Sequence, residues 1–251
     1  MKKITDKLLD KKYFIFDIDG TLVDSMGMWN LVDQINIYNQ IGVTVPLEDI
    51  KLFRDSVLYD PKNVGGNIYD IFYQEVVDEF GLDITAEEYG NLRRELADYI
   101  SINEIDFKPG AAQFLNLLKE LGKKIAITTT TTSRQLDIYS EKNKKMAGQA
   151  PLKRLADAVV TCDDVVRKKP DPEAYLKTVE KLGAKSKDCI VFEDSLFGAM
   201  AAKSAGLDVV AVYDESAKNE QDRLDMIVDY KVESFDELIK ILGLENNKAK
   251  Q

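Results

Sequence analysis

Histidine is absent from all 251 residues of the sequence. Its absence excludes Ser–His–Asp and Cys–His nucleophilic catalysis, phosphohistidine intermediates, and zinc sites built on imidazole ligands. Any general acid or base in this chain must therefore be a carboxylate, a lysine, a tyrosine or a cysteine.

Cysteine is scarce: the sequence contains only Cys162 and Cys189. They provide no disulfide framework and fit a reducing compartment. A phosphatase with a cysteine nucleophile is also excluded. Four residues separate Cys162 from Arg167, one fewer than that active-site loop requires, and Asp163 and Asp164 would repel phosphate.

Long apolar runs and an excess of positive charge are missing as well. No run approaches the roughly 20 apolar residues that span a bilayer. The net charge of −10 argues against non-specific binding to nucleic acid or to anionic membranes. The stretch MKKITDKLLDKK has no apolar signal core. We therefore expect a cytoplasmic protein without nucleic-acid or membrane partners, and the sequence gives no indication of its oligomeric state.

What the sequence does contain is an alternation of strand and helix patterns. Runs rich in β-branched residues lie at 13–19, 123–129, 157–161, 189–194, 208–214 and, more weakly, 228–232. Stretches such as AAQFLNLLKELG and PEAYLKTVEKLG have apolar residues at helical spacing and end in glycine. The alternation predicts an α/β fold, with a doubly wound, Rossmann-like parallel sheet covered by helices on both faces.

The long gap between the first two runs breaks this alternation. Residues 24–107 contain no convincing strand and include the helical patterns NIYDIFYQEVVDEFG and EEYGNLRRELADYI. We therefore predict a helical domain at 24–107, inserted into a core domain formed by 1–23 and 108–251. The links between the two are expected near Val23–Ser25 and Asp106–Pro109.

The first run, within YFIFDIDGTLVDS, ends in two aspartates. Asp17 and Asp19 are two residues apart, so in a strand they lie on the same side, and Gly20 then permits a sharp turn. Ligands of open α/β sheets bind at these strand ends, and paired carboxylates repel unless a cation or a shared proton relieves them. A pair of solvated turn aspartates is the alternative for this stretch alone. A calcium loop is excluded, since Thr21 and Leu22 occupy positions that require a ligand and a glycine.

Two further strand ends carry polar groups. The run KIAITT ends at Thr128–Thr129, and CIVFED ends in Glu193 and Asp194. Carboxylates are the hard oxygen ligands that suit Mg²⁺. Parallel strands would bring these groups to the same edge of the sheet as Asp17.

A lysine is expected to join them. Lys169 precedes a predicted helix whose N-cap is Asp171 and whose first residue is Pro172. A cation near a helix N-terminus opposes the helix dipole. Its position therefore favours a role at the site over that of an ordinary surface lysine.

The order of these segments resembles the haloacid dehalogenase superfamily, in particular its phosphatase and β-phosphoglucomutase-like branch. FDIDGTLVDS is similar to the first motif, KIAITTT to the second, RKKPDPEAYL to the third and VFEDSLFGAMAAKSAG to the fourth. The resemblance covers nearly the whole chain. It implies that the helical insertion is a cap domain of the first type.

The resemblance also implies roles for individual residues. Asp17 would be the nucleophile that forms a phosphoaspartyl enzyme, and Asp19 would protonate the leaving oxygen and then activate water. Mg²⁺ would be held by Asp17, the backbone carbonyl of Asp19 and Asp194, with Glu193 binding directly or through water.

Other residues would contact the substrate. The resemblance implies that Thr129 and Lys169 bind the phosphoryl oxygens, with Thr128 as the alternative to Thr129. Thr130 is expected at the substrate as well.

Two residues of the cap are also substrate-binding candidates. Trp29 lies early in the first cap helix, where core packing is an equally good explanation. Arg54 is a candidate for binding a second anionic group, and the alternative is that it is a solvated surface arginine.

These assignments predict a Mg²⁺-dependent phosphatase for a small phosphorylated metabolite, with a sugar phosphate as one candidate. One alternative is a β-phosphoglucomutase-like phosphosugar mutase, and another is a non-catalytic phosphate-binding regulatory module. The resemblance implies that a mutase has a cap histidine and a cap lysine, whereas this chain has Trp29 at the first position and only Arg93 and Arg94 near the second. We therefore expect water to be the acceptor.

Overall fold

The computed structural model describes residues 4–58, 60, 62 and 68–244. The chain divides into two compact units. The first unit comprises the described residues up to Met26 and from Ile105 onward, and the second unit is Gly27–Glu104. The predicted insertion began at residue 24 and ended at 107, so the helical unit is slightly shorter than the sequence suggested.

The first unit contains a six-stranded parallel sheet. Its strands are β1 (Tyr13–Phe16), β2 (Lys124–Thr128), β3 (Ala158–Val160), β4 (Cys189–Glu193), β5 (Asp208–Val212) and β6 (Tyr230–Val232). They lie in the order β3-β2-β1-β4-β5-β6, so β1 is inside the sheet, with β2 and β3 on one side of it and β4 to β6 on the other. This confirms the predicted doubly wound α/β fold. Each strand is shorter than its predicted run, and in β1, β2 and β4 the polar residues lie at or just beyond the carboxyl end.

The α-helices of the two units are numbered together in chain order. They are α1 (Ile4–Asp10), α2 (Met28–Ile41), α3 (Leu47–Leu58), α4 (Ile68–Phe80), α5 (Ala86–Asn103), α6 (Ala111–Glu120), α7 (Ser133–Asp137), α8 (Lys144–Gln149), α9 (Leu152–Leu155), α10 (Glu173–Lys181), α11 (Leu196–Ser204), α12 (Gln221–Asp225) and α13 (Phe235–Ile241). A π-helical segment, Ile138–Lys142, continues directly from α7. None of the described helices is long and apolar enough to cross a membrane.

Both faces of β1 are buried. Phe14 and Phe16 stack on Phe192, with ring centroids 6.2 and 4.7 Å apart, and also meet Phe114 edge-on. Ile15 points to the other face and packs in a cluster with residues such as Val191 and Val209. Close packing on both faces fixes the position of the residues that follow the strand.

The chain segments that leave and re-enter the first unit pair with each other. Val23 forms an antiparallel bridge with Phe107, and the backbone nitrogen of Lys108 donates to Leu22. The Lys108 ammonium donates to the carbonyl of Gly20 (2.8 Å) and to Asp214 (2.8 Å). The returning segment therefore also fixes the loop that follows β1.

The second unit comprises α2 to α5. Inside it, the Arg93 guanidinium and the Tyr89 hydroxyl each donate to Asp33 at 2.7 Å. All three residues are buried. Removing charged groups from water costs free energy, and the paired hydrogen bonds offset that cost. Thr85 and Glu88 form a capping box that fixes the start of α5.

Candidate active site

The carboxyl ends of three neighbouring strands define the site. Phe16 of β1 pairs in register with Ile127 of β2 and with Phe192 of β4. The next residue, Asp17, is therefore level with Thr128 and Glu193, and its backbone nitrogen donates to the carbonyl of Phe192.

Carboxylates from β1 and β4 meet at this edge. Oxygen atoms of Asp17, Glu193 and Asp194 lie within 4.8 Å of one another. All three residues are buried, with Glu193 completely inaccessible. The predicted convergence of these side chains is therefore present in the structure.

The ammonium of Lys169 lies between two of these carboxylates. Its Nζ donates to Asp17 Oδ1 at 2.7 Å, to Glu193 Oε1 at 2.6 Å and to the carbonyl of Thr128 at 3.1 Å. The same Glu193 oxygen accepts a 2.5 Å hydrogen bond from the Tyr175 hydroxyl. The lysine side chain is only 5% exposed, so this position is not that of a surface lysine.

The start of the following helix differs from the prediction by one residue. The helix α10 begins at Glu173 rather than Pro172, and Pro172 is its N-cap instead of Asp171. The Asp171 carboxylate still accepts a hydrogen bond from the Glu173 backbone nitrogen, at 2.9 Å. The proline fits before the helix because it lacks an N–H to donate.

Negative charge is in excess at the cluster. Burial, aided by the charges of Glu193 and Asp19, raises the pKa of Asp17 to about 7, although Lys169 acts against the rise. Burial and the neighbouring carboxylates also raise the pKa of Asp194 well above its ordinary value. For Lys169, burial alone would lower the pKa, but the charges of Asp17 and Glu193 outweigh it and raise the pKa.

The donor set fits a hard divalent cation. The cluster has three buried carboxylates, and the Lys169 ammonium pairs with two of them. Oxygen ligands of this kind are those that Mg²⁺ prefers. A divalent cation would compensate the excess charge that raises the carboxyl pKa values.

Two glycines allow the backbone to approach these carboxylates closely. Gly20 has a φ of +82°, and a Cβ on it would lie 2.3 Å from Asp194 Oδ2. A Cβ on Gly198, in the first turn of α11, would lie 2.0 Å from Glu193 Oε1. Side chains at either position would displace the carboxylates.

Asp19 lies apart from the carboxylate cluster and has its own partners. Its Oδ1 accepts from the hydroxyls of Ser25 at 2.6 Å and Tyr139 at 2.9 Å, and its Oδ2 contacts the Thr131 hydroxyl. Burial and the Asp19 charge raise the pKa of Tyr139 well above its ordinary value. Sequence reasoning missed these three hydroxyls; only Ser25, within the first motif, carried a signal that could have indicated it.

The threonines after β2 have distinct positions. The Thr128 hydroxyl lies 2.6 Å from the Thr178 hydroxyl of α10, and both are fully buried. The Thr128 hydroxyl is therefore hydrogen-bonded to α10. The Thr129 hydroxyl accepts from the backbone nitrogen of Thr131 at 3.1 Å, and Thr130 is exposed. Of the two alternatives, Thr129 is the better candidate for a phosphate-binding hydroxyl.

The two cap candidates lie in the helical unit. The Trp29 indole is half-buried and packs against the Arg93 guanidinium, whose carbon is 4.7 Å from the ring centroid. Arg54 is half-buried and donates to Asn30 Oδ1 at 3.2 Å, and among the described residues its buried Nε has no hydrogen-bond partner.

Known proteins are similar to this chain in sequence and in fold. A family model described as haloacid dehalogenase-like hydrolase matches residues 11–206. Protein CbbY of Rhodobacter capsulatus is 32% identical over 214 residues, which cover 84% of this chain and 89% of that protein. The phosphorylated carbohydrates phosphatase of Thermotoga maritima is 25% identical over 194 residues, 77% of this chain and 81% of that protein.

A solved structure agrees with these matches. The crystal structure of CbbY from Rhodobacter sphaeroides in complex with phosphate superimposes with a TM-score of 0.67 at 21% identity, covering 93% of this chain and 99% of that one. The resemblance found in the four motifs is thus confirmed, and the chain belongs to the haloacid dehalogenase-like hydrolase family.

Proposed function

We propose that this protein is a Mg²⁺-dependent phosphatase that hydrolyses a small phosphorylated metabolite through a phosphoaspartyl intermediate. The observation that carries the proposal is the separation of two aspartates by environment. Asp17 is buried against Lys169, whereas Asp19 is held by hydroxyls outside the carboxylate cluster. One aspartate is thus suited to nucleophilic attack and the other to proton transfer.

In the first step, Asp17 attacks phosphorus. A bond forms between its carboxylate oxygen and phosphorus, the bond from phosphorus to the leaving oxygen breaks, and Asp19 donates a proton to that oxygen. In the second step, water attacks the same phosphorus, Asp19 takes the water proton, and Asp17 is released as a carboxylate. The enzyme returns to its starting state.

Positive charge must reach the phosphoryl group during both steps. Lys169 is held 2.7 Å from Asp17, where it can contact a phosphoryl oxygen as well. The Thr129 hydroxyl is proposed as a second donor to the phosphoryl group.

Mg²⁺ would be held by the carboxylates of Asp17 and Asp194 and the backbone carbonyl of Asp19, with Glu193 binding directly or through water. When bound, the cation reduces the repulsion between carboxylate and phosphate and stabilises charge on the phosphoryl oxygens.

The remaining candidates are proposed to determine the substrate. We assign substrate contacts to Thr130 and, in the helical unit as a cap, to Trp29 and Arg54. The Nε of Arg54, which has no hydrogen-bond partner in the described part of the chain, supports an anion-binding role. The name of the Thermotoga relative supports a phosphorylated carbohydrate as the substrate class.

Mg²⁺-dependent release of phosphate tests this proposal. We expect p-nitrophenyl phosphate and members of a sugar-phosphate panel to be hydrolysed with Mg²⁺, and EDTA to stop the reaction. Asp194→Asn should raise the Mg²⁺ concentration needed for half-maximal rate by about tenfold or more, because the site loses an anionic ligand. Asp229→Asn, which changes a carboxylate that pairs with Lys203 outside the site, serves as the control. Full activity in EDTA, or no turnover of any phosphate ester, would contradict the proposal.

A second experiment separates hydrolysis from phosphate transfer between sugar positions. The enzyme is incubated with Mg²⁺, β-glucose 1-phosphate and a trace of the 1,6-bisphosphate. If β-glucose 1-phosphate is accepted, we expect free phosphate, since Trp29 stands where a mutase would have a proton-exchanging histidine and an indole N–H only donates. Rapid formation of glucose 6-phosphate with little free phosphate would instead identify a mutase.

A further inference from the structure

The Tyr139 hydroxyl contacts the proposed acid–base residue from a π-helical turn. Tyr139 is fully buried and lies in the segment Ile138–Lys142, directly after α7. Its hydroxyl donates to Asp19 Oδ1 at 2.9 Å. A π-helical turn changes the direction of the side chains relative to a regular α-helix, and such turns are frequent at functional sites. No part of the proposed mechanism uses this tyrosine.

The hydrogen bonds to Asp19 distinguish its two oxygens. Oδ1 accepts from both Ser25 and Tyr139, at 2.6 and 2.9 Å. Two donors occupy the two lone-pair directions of a carboxylate oxygen. The other oxygen, Oδ2, contacts the Thr131 hydroxyl. A threonine hydroxyl can either donate or accept, so this contact is compatible with Oδ2 in its protonated and its ionised form.

We infer that Tyr139 is a positioning residue, which together with Ser25 holds Asp19 so that Oδ2 is the oxygen that exchanges protons. The inference rests on the proposed function of Asp19 as general acid and base. A phenylalanine would fill the same space in the core, so packing alone does not require the hydroxyl. The hydroxyl supplies a donor that fixes the rotation of the Asp19 carboxylate.

The chemistry of the first step provides a specific test. As the bond from phosphorus to the leaving oxygen breaks, the proton on Asp19 Oδ2 moves to that oxygen. An alkoxide leaves slowly without this proton, whereas p-nitrophenolate is stable as an anion and needs it little. Misplacement of Asp19 should therefore slow the two kinds of substrate unequally.

The experiment compares Tyr139→Phe with wild type on p-nitrophenyl phosphate and on a sugar phosphate that wild type accepts. We expect kcat/KM for the sugar phosphate to fall about 10- to 100-fold, and kcat/KM for the aryl ester to fall about threefold or less. The parameter kcat/KM reports phosphoryl transfer and the steps before it. An equal fall for both substrates, or no fall for either, would overturn the role of Tyr139.

A matched variant is available at the same site. Tyr175→Phe also removes a buried tyrosine hydroxyl, but one that donates to Glu193. It should alter the Mg²⁺ requirement and leave the ratio between the two substrates unchanged. A shift of that ratio in Tyr175→Phe equal to the shift in Tyr139→Phe would also overturn the inference.

Failure of the positioning role can be distinguished from misfolding and from failure of the proposed function. If Tyr139→Phe does not fold, Ser25→Ala removes the other donor to Oδ1 and must show the same selective loss, or the inference fails. If wild type hydrolyses neither substrate, the proposed function itself fails. An active wild type with an unselective Tyr139→Phe variant contradicts only the positioning role.

Discussion

Replacing Asp17 with asparagine is expected to reduce phosphate release by about 10⁴-fold or more, because an amide oxygen cannot attack phosphorus as a carboxylate does. The variant is nearly isosteric, and its side-chain oxygen can still accept the hydrogen bond that Lys169 donates to Asp17 Oδ1 at 2.7 Å. The fold should therefore be retained. Acid quenching of the wild type with a ³²P-labelled substrate should trap a phosphoenzyme that hydroxylamine releases, and the variant should trap none.

The control makes the same chemical change at the other edge of the sheet. Asp208 begins β5 and pairs with Lys11 at 2.7 Å, so Asp208→Asn alters an aspartate at the amino ends of the strands. It should keep wild-type activity. Substantial turnover by purified Asp17→Asn, or labelled protein in that variant, would refute a covalent mechanism on Asp17.

The arrangement of the carboxylates could be predicted from the sequence because it depends on regular structure. Parallel strands in register bring the residues after β1 and at the end of β4 to one edge, so Asp17, Glu193 and Asp194 had to converge once the strands were recognised. The lysine was predictable for a related reason. Lys169 lies in the loop just ahead of α10, which begins at Glu173, and the helical pattern of α10 indicates where this loop meets the sheet.

The surroundings of Asp19 were not predictable in the same way. Thr131 and Tyr139 reach it from a loop and from a π-helical turn, and neither has a local sequence signature that distinguishes it from an ordinary helix or loop. The choice between Thr128 and Thr129 also depended on packing. The Thr128 hydroxyl is bonded to Thr178 because α10 lies against β2 there, a contact between segments 50 residues apart.

Replacing Lys169 with methionine is expected to affect both stability and activity strongly. The lysine side chain is 5% exposed and donates to Asp17, Glu193 and the carbonyl of Thr128. Methionine fills much of the same volume but leaves the buried carboxylates without a cation. Breaking a buried ion pair in this way costs about 3–5 kcal/mol. We therefore expect a lower free energy of unfolding without Mg²⁺, and a fall in kcat of about 10²–10³ with saturating Mg²⁺, because the phosphoryl group loses a donor.

Measuring urea unfolding with and without Mg²⁺ distinguishes this explanation from a general loss of packing. A bound cation would replace part of the missing positive charge, so Mg²⁺ should raise the free energy of unfolding more in Lys169→Met than in wild type. Lys11 offers a matched control, since its buried ammonium pairs with Asp208 at 2.7 Å and donates to the carbonyl of Lys187 at 2.7 Å, at the amino ends of the strands. Lys11→Met should also be destabilised, yet it should keep the wild-type kcat. Mg²⁺ should raise its free energy of unfolding no more than it does for wild type. Equal stabilisation of both variants by Mg²⁺, or a Lys169→Met enzyme with wild-type kcat, would show that Lys169 does not share the charge balance of the site.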